Sequence, residues 1–133
     1  MEMMFFLPMQ VPTRTFQSKK VTAYKGKARL YTPPELVEIQ QKFISALSKY
    51  APEKPMDGPV ALTTIFLFPS DKKHPPRTPK TTKPDTDNLV KMLKDCMTKC
   101  GFWNDDAQVS KDIIAKRYDI HEGIFIAIEP DGV

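Results

Sequence analysis

The sequence predicts an α/β fold: one small domain over residues 1–133, with a mixed β-sheet and two helices in the order β–α–β–α–β–β. Three observations carry this. Leu89, Met92, Leu93, Cys96, Met97 and Cys100 recur at i, i+3, i+4 and i+7, the stripe of a helix with one apolar face. Residues 60–68, Val-Ala-Leu-Thr-Thr-Ile-Phe-Leu-Phe, form a β-rich run suited to a largely buried strand. Two more strand-like runs, 112–119 and 123–129, close the chain, and their spacing around His121-Glu122-Gly123 predicts a hairpin.

Taken in order, residues 3–7 are apolar and aromatic and predict a first strand. Residues 8–31 are basic, polar and Pro/Gly-containing, a long loop or ribbon. Thr32-Pro33-Pro34-Glu35 starts a helix: a hydroxyl cap, proline in the first turn, then an acid. Leu36, Ile39, Phe43 and Leu47 form its apolar face, and it stops before Pro52. Residues 52–59 hold three prolines and Asp57-Gly58, a turn-rich connection into the second strand. Residues 69–84 hold five prolines and five basic residues and read as a loop. The second helix starts near Asp87 and ends at Gly101 as a helix C-cap.

A length of 133 residues can bury a core without disulfides or a structural metal. The 41% apolar fraction argues against wholesale disorder. No apolar run reaches the roughly 20 residues of a membrane helix, and the start lacks the basic region and cleavage site of a signal peptide. Cys96 and Cys100, four apart on one helix, suggest free thiols, a reducing compartment and a cytoplasmic protein.

Net charge is a modest +4, but its distribution is uneven. Between Glu2 and Glu35 there is no acid, while Arg14, Lys19, Lys20, Lys25, Lys27 and Arg29 are basic. Between Asp71 and Asp85 there is again no acid, and Lys72, Lys73, Arg77, Lys80 and Lys83 are basic. Two concentrated positive stretches fit a polyanion partner, but charge alone favours the plainer reading of a pair of solvated loops.

The chemistry concentrates in Lys83-Pro-Asp-Thr-Asp-Asn-Leu-Val-Lys91. If the chain is extended at Asp85 and Asp87, alternate side chains share a side and the carboxylates converge. Two hard oxygen donors suit Mg²⁺ or Mn²⁺, with water and phosphate completing the shell. On these residues alone the plainer reading is favoured, with Asp87 capping the helix and Asp85 in a loop, because Asp-x-Asp by itself is a weak motif. Lys91 follows Asp87 by four residues and shares its helix face. Asp105 and Asp106 come eighteen and nineteen residues after Asp87, where a returning strand could add a third carboxylate. Three acids, a lysine and basic loops suggest metal-assisted phosphodiester hydrolysis.

Lys83-Pro-Asp-Thr-Asp-Asn-Leu-Val-Lys91, Leu93-Lys-Asp-Cys and Gly101-Phe-Trp-Asn-Asp-Asp-Ala-Gln-Val109 together resemble the core signature of the RusA family of Holliday junction resolvases. The likeness covers residues 83–118, including Lys116-Arg117, and Tyr31-Thr-Pro33 is similar to a segment common in the family. It implies a homodimer that binds four-way DNA junctions in recombination and repair and nicks two strands symmetrically with Mg²⁺ or Mn²⁺. It matches Asp85, Asp87 and Asp106 to the family's catalytic carboxylates and metal ligands, and Lys91 to its active-site lysine. The chain departs from the family at Pro8-Met-Gln-Val-Pro-Thr13 and at Thr81-Thr82-Lys83-Pro84, where an arginine-rich run is usual. DNA contact is expected from the basic residues of the loop at 69–84, Lys72, Lys73, Arg77, Lys80 and Lys83.

Other residues read more plainly. The cysteines lie in the apolar stripe, as core thiols. Trp103 suits core packing better than base stacking. His74 sits in the basic loop and His121 in a turn, neither with a partner that makes it a general base. Two alternatives stand beside the resolvase: a RusA-fold nuclease for other branched DNA such as flaps, and a catalytically silent nucleic-acid-binding module.

Overall fold

The computed structural model describes residues 2–13, 20–24, 27–31 and 34–132, with side chains in the first and last of these segments. The expected cap at Thr32-Pro33 and the basic residues Arg14, Lys19 and Lys25 lie outside them. The elements are β1 (Met3–Pro8), β2 (Lys20–Tyr24), β3 (Lys27–Tyr31), α1 (Pro34–Leu47), β4 (Val60–Pro69), α2 (Thr86–Lys99), a 3-10 turn (Asp106–Gln108), β5 (Val109–Asp119) and β6 (Gly123–Pro130). The α/β class and the order of the main elements are as predicted. The segment read as a loop or ribbon contains the antiparallel pair β2–β3.

Four strands form one mixed sheet in the order β1-β6-β4-β5. β4 runs parallel to β5 and antiparallel to β6, and β6 pairs antiparallel with β1. A parallel pair needs a long crossover, and α2 supplies it by carrying the chain back from the end of β4 to the start of β5.

The expected β5–β6 hairpin is corrected. Both strands form, but β4 lies between them and takes a partner on each edge. The physical reason is burial. β4 is apolar on both alternate sets of side chains and buried along most of its length, so it occupies the sheet's interior. β5 begins with exposed Ser110, Lys111 and Asp112 and takes the edge. It also starts earlier than the predicted residue 112, because the 3-10 turn delivers the chain directly into it.

The core sits between the sheet and the helices. Leu62, Phe66 and Phe68 of β4, Ile124, Ile126 and Ile128 of β6, and Phe5 and Leu7 of β1 pack with Leu36, Phe43 and Leu47 of α1 and the α2 stripe. α2 is buried at Leu89, Val90, Met92, Leu93, Cys96 and Met97, nearly the face its periodicity predicts. Its end is closed as expected. Gly101, at φ 84°, donates to the Thr98 carbonyl while Phe102 N–H donates to that of Met97. This is a Schellman cap, which favours glycine because the left-handed backbone crowds a Cβ. Trp103 is buried and donates Nε1–H to Thr98 Oγ1 at 2.7 Å, a packing role. Among the described residues, no helix is long and apolar enough to cross a membrane.

Candidate nucleic-acid interface and acidic site

Five of the 16 residues at 69–84, the basic loop between β4 and α2, are prolines without an N–H. Part of the remaining backbone is laid along the free edge of β5. Ser70 N–H donates to Asp119 O at 3.0 Å, Arg77 N–H to Tyr118 O at 2.7 Å, Tyr118 N–H to Thr78 O at 2.9 Å, and Lys80 N–H to Lys116 O at 3.1 Å. These bonds satisfy the loop backbone and cover part of an otherwise open strand edge.

The side chains of Lys72, Lys73, Arg77 and Lys83 are exposed on this loop. Asp71 turns inward on its own segment, accepting from the N–H groups of Lys73 and His74 at 2.9 and 2.7 Å. The backbone N–H of His74, and then its ring, hold the Asp71 carboxyl below its ordinary range. His74 stacks on Tyr118 with ring centres 4.3 Å apart. Lys80 differs from the other four cations. Its ammonium lies 4.9 Å from the centre of the Phe68 ring and 5.2 Å from that of Tyr118, and donates to Thr82 Oγ1 at 2.8 Å. It is bound into the loop's own packing.

The loop ends at the acidic pair. Asp85 is the N-cap residue of α2, with extended backbone (φ −73°, ψ 149°), yet its side chain makes no capping hydrogen bond. The cap position therefore belongs to Asp85 rather than Asp87, and the Asp85 carboxylate is not spent on capping. Asp87 lies in the first helical turn, so the extended backbone assumed for the pair holds at Asp85 only. Both carboxylates are exposed at the positive end of the helix dipole. Lys91 is exposed one turn further along α2.

Asp105 and Asp106 stand elsewhere. Asp105 caps the 3-10 turn: it accepts from Ala107 N–H at 2.9 Å, while Gln108 Oε1 accepts from Asp105 N–H at 3.0 Å. Asp106, the next residue, is exposed and takes no part in that cap. The segment is tied to the beginning of β4, since Gln108 Nε2 donates to the carbonyls of Met56 and Gly58 at 2.8 and 3.0 Å. Asp106 therefore sits by the C-terminal end of α2 and Asp85 by its N-terminal end, with 14 helical residues, about 21 Å of axis, between them. Among the described residues no three His, Cys, Asp or Glu side chains are close enough to hold one metal ion. The donor chemistry of Asp85, Asp87 and Asp106 still suits a hard divalent cation: all are exposed carboxylates and none is engaged as a helix cap.

One residue of this region carries more than its sequence signal suggested. Lys116 of β5 donates from Nζ to the carbonyls of Thr82 at 2.6 Å and Pro84 at 2.8 Å, directly before Asp85. Strand alternation was the available signal, since it puts Lys116 on the side of buried Tyr118 rather than among the outward cations.

The sequence profile described as endodeoxyribonuclease RusA matches residues 10–129, which places the chain in a class of DNA-cutting enzymes. The chain belongs to the RusA family. The crossover junction endodeoxyribonuclease rusA of Lactococcus phage r1t is 32% identical over 102 residues, covering 75% of this chain and 76% of that protein. The uncharacterized protein YqaN of Bacillus subtilis (strain 168) is 30% identical over 104 residues, covering 70% and 72%.

Proposed function

We propose that this chain resolves four-way DNA junctions as a homodimer, by paired symmetric nicks that depend on Mg²⁺ or Mn²⁺. The observation that carries the reading is the acidic pair itself. Asp85 holds the cap position of α2 with an unspent carboxylate, at the end of a loop whose exposed cations suit a phosphate backbone. The family membership and the phage relative's printed activity agree with it.

Asp85, Asp87 and Asp106 are the proposed ligands. A divalent cation there would supply charge neutralisation at the scissile phosphate and a lowered pKa for the attacking water. Lys91 places an ammonium one helical turn from Asp87, where charge builds on the phosphate oxygens during attack. Lys72, Lys73, Arg77 and Lys83 bind backbone phosphates. Lys80 also lies on this surface, contributing charge while it packs on Phe68 and Tyr118.

The separation of the acids supports the dimer. Asp106 lies a helix length from Asp85, so a three-carboxylate site takes Asp85 and Asp87 from one subunit and Asp106 from the other. A two-fold axis then builds two such sites, one for each of two symmetry-related strands.

The test is cleavage of labelled four-way junctions with Mg²⁺, beside flap and duplex controls, by wild type, Asp87→Asn, Asp106→Asn and the two variants co-expressed. Wild type should cut the junction preferentially, and each variant alone should be inactive. The mixed dimer, with one intact site, should recover single-strand nicking. A mixed sample as inactive as its parents would place all ligands on one chain, and preferential flap cleavage would redirect the substrate.

A further inference from the structure

We propose that Lys116 is a positioning residue for the acidic site: its ammonium fixes the backbone from which Asp85 projects. The inference rests on the reading of Asp85 as a metal ligand and adds a residue to it.

The geometry is specific. Lys116 grips the loop three times, through its own carbonyl to Lys80 N–H at 3.1 Å and through Nζ to Thr82 O at 2.6 Å and Pro84 O at 2.8 Å. These contacts fall on both sides of Lys83. One residue further on, the Asp85 carbonyl accepts from Leu89 N–H at 3.1 Å as α2 begins. Asp85 is therefore held between two anchored carbonyls, its own and that of Pro84. A proline-rich segment offers acceptors but few donors, so it cannot make this anchorage alone. An ammonium brings three donors and a charge that strengthens each bond. With Nζ turned onto carbonyls, Lys116 acts on the loop and not on phosphate, unlike the exposed cations at 72, 73, 77 and 83.

Lys116→Met keeps the aliphatic stem and removes the donors, whereas Lys116→Arg keeps donors and charge. Mn²⁺ binding, read as the free-ion electron paramagnetic resonance signal, separates the outcomes without cleavage. Lys116→Met should weaken Mn²⁺ binding by on the order of 10- to 100-fold, the usual effect of removing a group that orients a ligand. Lys116→Arg should recover most of that loss. Junction affinity without metal should stay at the wild-type value, and cleavage by Lys116→Met should recover as Mn²⁺ is raised. Wild-type Mn²⁺ affinity in Lys116→Met, with weakened affinity in Asp85→Asn, would overturn the positioning role alone. Unchanged affinity in Asp85→Asn would overturn the ligand reading and the inference with it. A Lys116→Met protein without native circular dichroism would also overturn the inference, by making Lys116 a residue of the whole fold.

Discussion

Gln108 receives the Asp105 N–H at 3.0 Å on Oε1 and, through Nε2, holds the carbonyls of Met56 and Gly58. One side chain thus pins the Asp105-Asp106 turn to the start of β4 and divides the labour of two neighbouring acids. Asp105 is engaged in the cap and Asp106 is left to face outward.

That division predicts different losses. Asp106→Asn should abolish junction cleavage with little change in melting temperature. Asp105→Ala should keep most of its activity and lose about 1 kcal/mol of stability, the usual worth of a cap. Single-turnover rates and thermal melts of the two variants decide the matter. A dead Asp105→Ala beside an active Asp106→Asn would reverse the assignment.

Asp87→Asn should remove cleavage and spare binding. On the proposed reading the carboxylate acts at the reacting phosphate, while affinity rests on the basic loop. Removing a negative charge beside phosphate should leave affinity unchanged or raise it. A gel-shift titration paired with a cleavage time course measures both, and a rate within a few-fold of wild type would remove Asp87 from the site.

Lys91→Ala should slow single-turnover cleavage by on the order of 100-fold, equivalent to about 2.7 kcal/mol of transition-state stabilisation. A surface helix pair would be worth only about 0.3 to 0.5 kcal/mol, in stability rather than rate. Junction affinity should hardly move. Near-wild-type cleavage at saturating metal would return Lys91 to the helix surface.

The exposed loop cations should be visible in the salt dependence of binding. Each phosphate contact contributes about 0.9 to the slope of log K against log salt for duplex arms. Replacing Lys72, Lys73 and Arg77 together with Ala should flatten that slope by up to roughly three such contacts. Lys80→Ala should cost stability as well, because its ammonium is bound against Phe68 and Tyr118. An unaltered slope in the triple variant would make the loop a solvated surface.

Burial pushes the Cys96 thiol up to about 12, so the folded protein keeps it protonated where an unfolded chain, with a thiol pKa of about 8.5, begins to ionise. Its contribution to stability is whole below the unfolded value and is lost as pH rises from there toward the folded one. Cys96 should resist iodoacetamide at mildly alkaline pH in the native protein and react once the chain is denatured. Mass spectrometry of the labelled peptide would show it, and rapid native labelling would contradict its burial.

Local pattern determined much of this protein. The α2 stripe, the glycine that closes it, the apolar β4 run and the proline-rich basic loop are set by side chains within a few residues of each other, where periodicity and backbone preference act directly. The acidic pair at the start of α2 was legible for the same reason. Tertiary structure alone decided what depends on distant partners. β4 entered between β5 and β6, replacing the hairpin that their sequence proximity suggested, because a strand apolar on both faces is most stable with neighbours on both edges. The sheet then put Asp106 a helix length away from Asp85, which no spacing in the chain reveals. It also turned Lys116 and Lys80, cations like their neighbours in the sequence, onto carbonyls and aromatic rings, because a donor-poor loop has to be held from outside.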